Sequence, residues 1–173
     1  MKQVLVIEDQ RTSAAIVAQM LRNTGLALEL KHASTLDAAT KLLSEQFFDL
    51  VVLDLCLPDS TDGRHTFAAV RLLCHDAPII VLTIVQDTAT IKSCLDGGAR
   101  AYLVKGKITD EDFRQDVIAA LGGKVEPITR SEQDTPMEIS GGGHGFFARI
   151  RGIDLREFLI IIVMLMGFSA IWI

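Results

Sequence analysis

The 173-residue sequence holds three cysteines, Cys56, Cys74 and Cys94. Their odd number and the lack of any CxxC spacing argue against a disulfide framework or a zinc site, and favour a reducing compartment. No long basic run occurs and the net charge is -5, which speaks against nucleic acid as the main partner, because phosphate binding needs a positive stripe. No cleaved leader is expected either: Met1-Lys2-Gln3 runs directly into a strand-like segment that meets acidic residues at once. No internal repeat is evident. Gly141-Gly142-Gly143 follows no strand and lacks the Lys-Ser/Thr of a phosphate-binding loop. His32, His65, His75 and His144 show no ligand spacing with one another or with the cysteines, and are read as ordinary polar residues. His144 also lacks the helical-bundle setting of a phosphorylatable histidine.

What remains is a core-forming chain. Hydrophobic residues make up 49% and charged residues 23%, enough for one domain of about 100–150 residues plus an appendage. Val4–Ile7, Leu50–Leu53 and Ile79–Leu82 are short apolar runs, the mark of strands buried on both faces, and Ala101–Val104 reads as a short strand, with Tyr102 a half-buried aromatic. A further strand is expected over Leu26–Leu30. Between them, helices are predicted over Thr12–Arg22, Leu36–Phe47, Arg64–Cys74, Thr88–Leu95 and Asp110–Leu121, the last capped by Thr109. Strict alternation of five strands and five helices implies a parallel α/β sheet covered on both faces.

Ligands of such sheets bind beyond the carboxyl ends of the strands. Glu8 and Asp9 follow the first strand and Asp54 the third. Thr83 ends the fourth strand, and Lys105 follows the fifth. Singly, each has an ordinary explanation as a turn former, strand residue, helix cap or solvated charge. Together they place three carboxylates, a hydroxyl and an ammonium on one sheet edge. Adjacent carboxylates need a cation to stay ionised, and Mg²⁺ suits such a site because it takes few carboxylates and bridges to phosphate oxygens. The metal set is Glu8, Asp9 and Asp54, with the Cys56 backbone carbonyl as a further ligand. Asp54 would be the nucleophile towards phosphorus. Lys105 and Thr83 would stabilise charge on the transferred oxygens.

Residues 1–121 resemble the receiver domain of response regulators in two-component signalling. The resemblance rests on Val6-Ile7-Glu8-Asp9, Asp54 with Leu57-Pro58, Asp62-Gly63, Thr83 and Tyr102-Leu103-Val104-Lys105-Gly106. It implies a flavodoxin-like (βα)₅ fold with strand order 2-1-3-4-5. It also implies Mg²⁺-dependent transfer to Asp54 from a histidine kinase or phosphotransfer protein. Thr83 and Tyr102 match a switch pair that changes the face of helix four, strand five and helix five, where a downstream protein would dock. Turnover of a separate substrate is not expected, only self-phosphorylation and slow autodephosphorylation. One departure is Ile84, where the family has a small residue after the switch threonine; its bulk is expected to narrow access to Asp54 and alter the kinetics.

Residues 122–152 mix Gly122-Gly123, Pro127, Pro136 and Gly141–Gly143 with polar residues and read as a flexible linker. Residues 153–173 read as a hydrophobic anchor helix. From Phe158 onward no charge occurs and only Ser169 is polar, and a helix over Leu155–Ile173 would span about 28 Å against a hydrocarbon core of ~30 Å. Arg149, Arg151 and Arg156 on the receiver side, with Phe158 and Trp172 near the two interfaces, fit a cytoplasmic orientation at the inner membrane. A helix docked on protein would need a polar face. The expectation is a regulator without an output domain, tethered by its tail, or the start of a longer membrane protein. Two competing roles are a phosphate sink for a kinase and a non-phosphorylated interaction scaffold.

Overall fold

The computed structural model describes residues 1–123, 137–140 and 147–151. The first five strands are β1 (Lys2–Ile7), β2 (Leu28–Ala33), β3 (Leu50–Leu53), β4 (Ile79–Thr83) and β5 (Ala101–Val104). They alternate with α1 (Arg11–Arg22), α2 (Leu36–Glu45), α3 (Gly63–Leu73), α4 (Thr88–Asp96) and α5 (Asp110–Ala120). β1 to β5 pair in parallel in the expected order, β2-β1-β3-β4-β5.

Side chains alternate across a pleated strand, and this divides the interior into two layers. Leu5, Ile7, Val51, Leu53, Val81, Tyr102 and Val104 pack with Leu43, Phe67, Val70 and Ile91 of α2 to α4. Val4, Val6, Val52, Leu82 and Leu103 face the other way, onto Val17 and Leu21 of α1 and Phe113 and Val117 of α5. Because both faces are covered, the central strands read as unbroken apolar runs. The helices start where polar side chains satisfy their first amides. Thr35 accepts from the Ala38 amide, Asp87 from Thr90, and Thr109 forms a capping box with Asp112.

Three expectations are corrected. The second strand runs Leu28–Ala33, not Leu26–Leu30; it is an outer, half-exposed strand whose place is set by pairing Lys2 with Leu28 through Ile7 with Ala33. The second helix stops at Glu45, leaving Phe47 79% exposed while Phe48 enters the core. The segment read as linker also contributes structure: β6 (Met137–Ser140) and β7 (Phe147–Arg151) pair antiparallel, and β7 pairs in parallel with β5. Among the described residues the sheet therefore has seven strands, and β5 is not its edge. No helix of the described residues is long and apolar enough to cross a membrane. The proposed anchor over 153–173 and His144 lie outside the described residues.

Candidate functional site

Each site residue is held one step beyond a strand by a continuation of the ladder. The Glu8 amide donates to the Ala33 carbonyl, the Asp54 amide to Ile7 and the Lys105 amide to Thr83, all at 2.9 Å. Gly106, at φ 78°, turns the chain immediately after Lys105, a conformation open to glycine without steric cost. The three loops thus converge as the sequence pattern predicts.

Glu8 and Asp54 are almost fully buried, at 2% and 3% exposure. Lys105 Nζ donates to Glu8 Oε2 and to Asp54 Oδ2, each at 2.5 Å. Asp54 Oδ1 accepts from the Cys56 amide at 3.1 Å, and Glu8 Oε1 from the Gln10 amide at 3.2 Å. Burial pushes the Glu8 carboxyl above its ordinary range; the Lys105 ammonium pulls it down without cancelling that, and the Asp54 charge adds to the rise. Burial by itself would lower Lys105, but its hydrogen bonds to Asp54 and Glu8 outweigh this and hold the ammonium protonated. One cation therefore serves two buried carboxylates, with Asp9 beside them.

That imbalance is the test of a metal. Carboxylate oxygens of Glu8, Asp9 and Asp54 lie within 4.8 Å of one another, and Asp9 Oδ1 is buried without a hydrogen-bond partner. An orphaned carboxylate oxygen in an all-oxygen cluster fits a hard divalent cation such as Mg²⁺.

Thr83 is fully buried. Its Oγ1 accepts from the Val85 amide at 3.4 Å and lies 3.9 Å from Cys56 Sγ. Tyr102 is also fully buried, and its hydroxyl donates to the Val85 carbonyl at 3.0 Å. Burial pushes its phenol well above the ordinary value. Val85 thus links the two residues expected to form a switch, a connection that sequence spacing does not reveal. Ile84 is 63% exposed, so its bulk lies on the surface beside Thr83 rather than in the core.

Other features were not anticipated. Asp59 in the β3–α3 loop accepts the Leu36 and Asp37 amides at 2.8 and 2.9 Å, tying the start of α2 to the site loop. Asp62, read as part of a turn, is the N-cap of α3. His32 Nε2 bonds the Glu8 carbonyl at 2.8 Å, and the His75 ring lies 5.3 Å from that of Phe47; both are structural roles. Cys74 and Cys94 are buried, free thiols pushed up by burial to about 11 and about 12.

A doubly wound parallel sheet with a buried acidic cluster and a lysine beyond its carboxyl edge defines the class: an α/β module with a charged site at its strand ends. The chain belongs to the response regulator receiver domain family, whose model matches residues 4–117. It is 31% identical over 143 residues to the transcriptional regulatory protein KdpE of Staphylococcus aureus, covering 80% of this chain and 56% of KdpE. It is 30% identical over 170 residues to PrrA of Mycobacterium tuberculosis, covering 93% of this chain and 70% of PrrA. A response regulator from Burkholderia pseudomallei, solved with a phosphorylated aspartic acid, calcium ion and citrate, superposes with a TM-score of 0.58 at 30% identity, over 70% of this chain and 66% of that one. The chain spans about half the length of KdpE. Receiver domains bind Mg²⁺ at an acidic pocket and take part in relays with histidine kinases or phosphotransfer proteins. Glu8, Asp9 and Asp54 form such an acidic cluster here.

Proposed function

We propose that Asp54 accepts a phosphoryl group from a histidine kinase or phosphotransfer protein, and that the domain signals through the resulting change at Thr83 and Tyr102. The observation that carries this reading is the pairing of buried Asp54 with Lys105 at 2.5 Å beside Glu8 and the orphaned Asp9 oxygen. A carboxylate oxygen of Asp54 attacks phosphorus; the bond to the donor imidazole nitrogen breaks, and that nitrogen keeps the bonding pair. Lys105 neutralises charge gathering on the phosphoryl oxygens, and the Thr83 hydroxyl donates to one of them. Glu8, Asp9, Asp54 and the Cys56 carbonyl would hold Mg²⁺, which supplies further charge neutralisation. The phosphorylated aspartic acid of the Burkholderia pseudomallei relative supports the same chemistry. The chain itself turns over no separate substrate.

The test is intact mass after exposure to Mg²⁺ and acetyl phosphate. Wild type gains one phosphoryl group and Asp54→Ala gains none. Equal, unmodified masses would overturn the proposal. The lifetime of the acyl phosphate then separates a signalling regulator from a phosphate sink, which turns over quickly. A partner that binds Asp54→Ala as well as wild type would favour the scaffold role.

For the tail, the uncharged run Phe158–Ile173 supports a tether at the cytoplasmic face of the inner membrane. One observation favours a second reading. The PrrA match takes in 93% of this chain, so it extends past the receiver into residues beyond 123, and PrrA is named a transcriptional regulatory protein. On that reading residues beyond 123 belong to an output region rather than to a tether. Fractionating cells with full-length chain and with residues 153–173 removed decides between them. A full-length chain found in the soluble fraction would sink the tether.

A further inference from the structure

The family match ends at residue 117, yet the sheet continues beyond it. β7 lies in parallel against β5, with Ala101 opposite Arg149, Tyr102 opposite Ile150 and Leu103 opposite Arg151. β6 closes on β7 in antiparallel register from Met137–Ile150 to Ser140–Phe147. The sequence supports this pairing independently. Met137-Glu138-Ile139-Ser140 alternates apolar and polar residues, β7 alternates over Arg149-Ile150-Arg151 after the apolar pair Phe147-Ala148, and the connection between the strands is glycine-rich (Gly141, Gly142, Gly143 and Gly145). Alternation on both sides of a glycine-rich connection is the pattern of a hairpin. The register also sets Glu138 across from Arg149.

The strand that β7 joins is the one bearing Tyr102, whose hydroxyl is bonded to the Val85 carbonyl. The Val85 amide in turn donates to Thr83, the site hydroxyl. Cys56 connects this pair to the acidic cluster: its amide donates to Asp54 Oδ1 at 3.1 Å and its thiol lies 3.9 Å from Thr83 Oγ1, so a chain of contacts runs from Asp54 through Cys56, Thr83 and Val85 to Tyr102, the residue opposite Ile150. A parallel sheet edge offers unpaired amides and carbonyls to any strand that can reach them. Here that edge is filled by the chain's own residues.

We propose that the β6–β7 hairpin is a partner in cis for the switch strand: β7 occupies the edge of β5, and pairing at residues 147–151 changes with the state of the acidic site. A downstream protein therefore does not meet an open β5 edge. The claim that the pairing responds to phosphorylation rests on Asp54 being the phosphoacceptor; the claim that β7 occupies the edge does not.

Amide hydrogen exchange on the full chain, resolved by peptide, separates the two. Without any phosphodonor, residues 147–151 should exchange about tenfold or more slowly than an unpaired strand, independently of protein concentration. Ile150→Pro removes one amide and should abolish that protection while leaving β1 and β3 unchanged; Arg149→Pro provides a second disruption should the first variant fold poorly. Unprotected wild-type 147–151 would overturn the proposal. So would protection that grows with protein concentration, since the occupant would then be a second copy. Adding Mg²⁺ and beryllofluoride, which mimics the phosphoryl group, should change exchange in 147–151 severalfold in wild type and not in Asp54→Ala. If wild type binds beryllofluoride, seen as slowed exchange around Asp54, yet 147–151 is unmoved, the coupling is disproved. If it binds none, the phosphoacceptor reading fails, while the donor-free experiment still decides who occupies β5.

Discussion

Two lysine–aspartate pairs sit at opposite edges of the same sheet and behave in opposite ways. At the amino-terminal edge Lys2 Nζ meets Asp49 Oδ1 at 2.7 Å, with the side chains 54% and 33% exposed. Asp49 also accepts the Gln3 amide at 2.8 Å, and these bonds hold its carboxyl below the ordinary value. At the carboxyl-terminal edge Lys105 meets Asp54 and Glu8 at 2.5 Å, but those carboxylates are 3% and 2% exposed. There burial outweighs the lysine, and Glu8 is pushed up instead of down. The contact distances are similar; the difference is water. An exposed pair keeps its hydration and gains little, whereas a buried excess of negative charge is a standing cost that only another cation can offset. The first edge fastens a strand end, and the second is poised to bind.

The largest predicted effect removes the reacting group. Asp54→Asn should abolish phosphoryl uptake from acetyl phosphate by intact mass while leaving the far-UV circular dichroism unchanged. Next, Lys105→Met strips the buried carboxylates of their cation. It should lower stability in metal-free urea denaturation by about 3 kcal/mol, with Mg²⁺ restoring part of the loss. Lys2→Met, the matching change at the exposed edge, should cost less than about 1 kcal/mol; equal losses would break the comparison. Glu8→Gln has mixed sign. It relieves like-charge crowding, so the metal-free denaturation midpoint should rise, while Mg²⁺ affinity by calorimetry falls about tenfold or more.

Smaller effects sharpen the contrast. Because the folded Asp49 pKa is depressed, its contribution to stability is present above the unfolded value near 3.8 and is lost as pH falls through the folded value. Asp49→Asn should therefore flatten the acid limb of the stability profile slightly, by well under about 1 kcal/mol after solvent screening. The smallest expected change is Ile84→Ala. It trims exposed bulk beside Thr83 and should speed phosphorylation or dephosphorylation modestly without moving the denaturation midpoint. A slower reaction in the variant would contradict the access argument.

Much of the fold was legible because its central strands are buried on both sides. Val4–Ile7, Leu50–Leu53 and Ile79–Leu82 have no polar residue, Ala101–Val104 has only the Tyr102 hydroxyl, and each polar or ionisable group following them falls at a predictable strand end. Strand β2 was misplaced because an outer strand, exposed along part of its length, carries no such run and takes its register from β1. The β6–β7 hairpin was hidden by composition. Gly141–Gly143 and the flanking prolines resemble a linker, although the short alternating stretches at 137–140 and 149–151 were a usable signal. Nothing local marks Val85 as the bridge between Thr83 and Tyr102, since a backbone carbonyl has no signature in the sequence.

Residue order alone determined which groups can react: the apolar runs dictate a parallel sheet, and Glu8, Asp9, Asp54, Thr83 and Lys105 must then end at one edge, because successive parallel strands all point the same way. Only the tertiary structure decided how those groups balance. It set Lys105 between Glu8 and Asp54, left Asp9 Oδ1 without a partner, and laid β7 along β5. Charge balance and edge pairing depend on distances between residues far apart in the chain, and on the water that packing removes from around them.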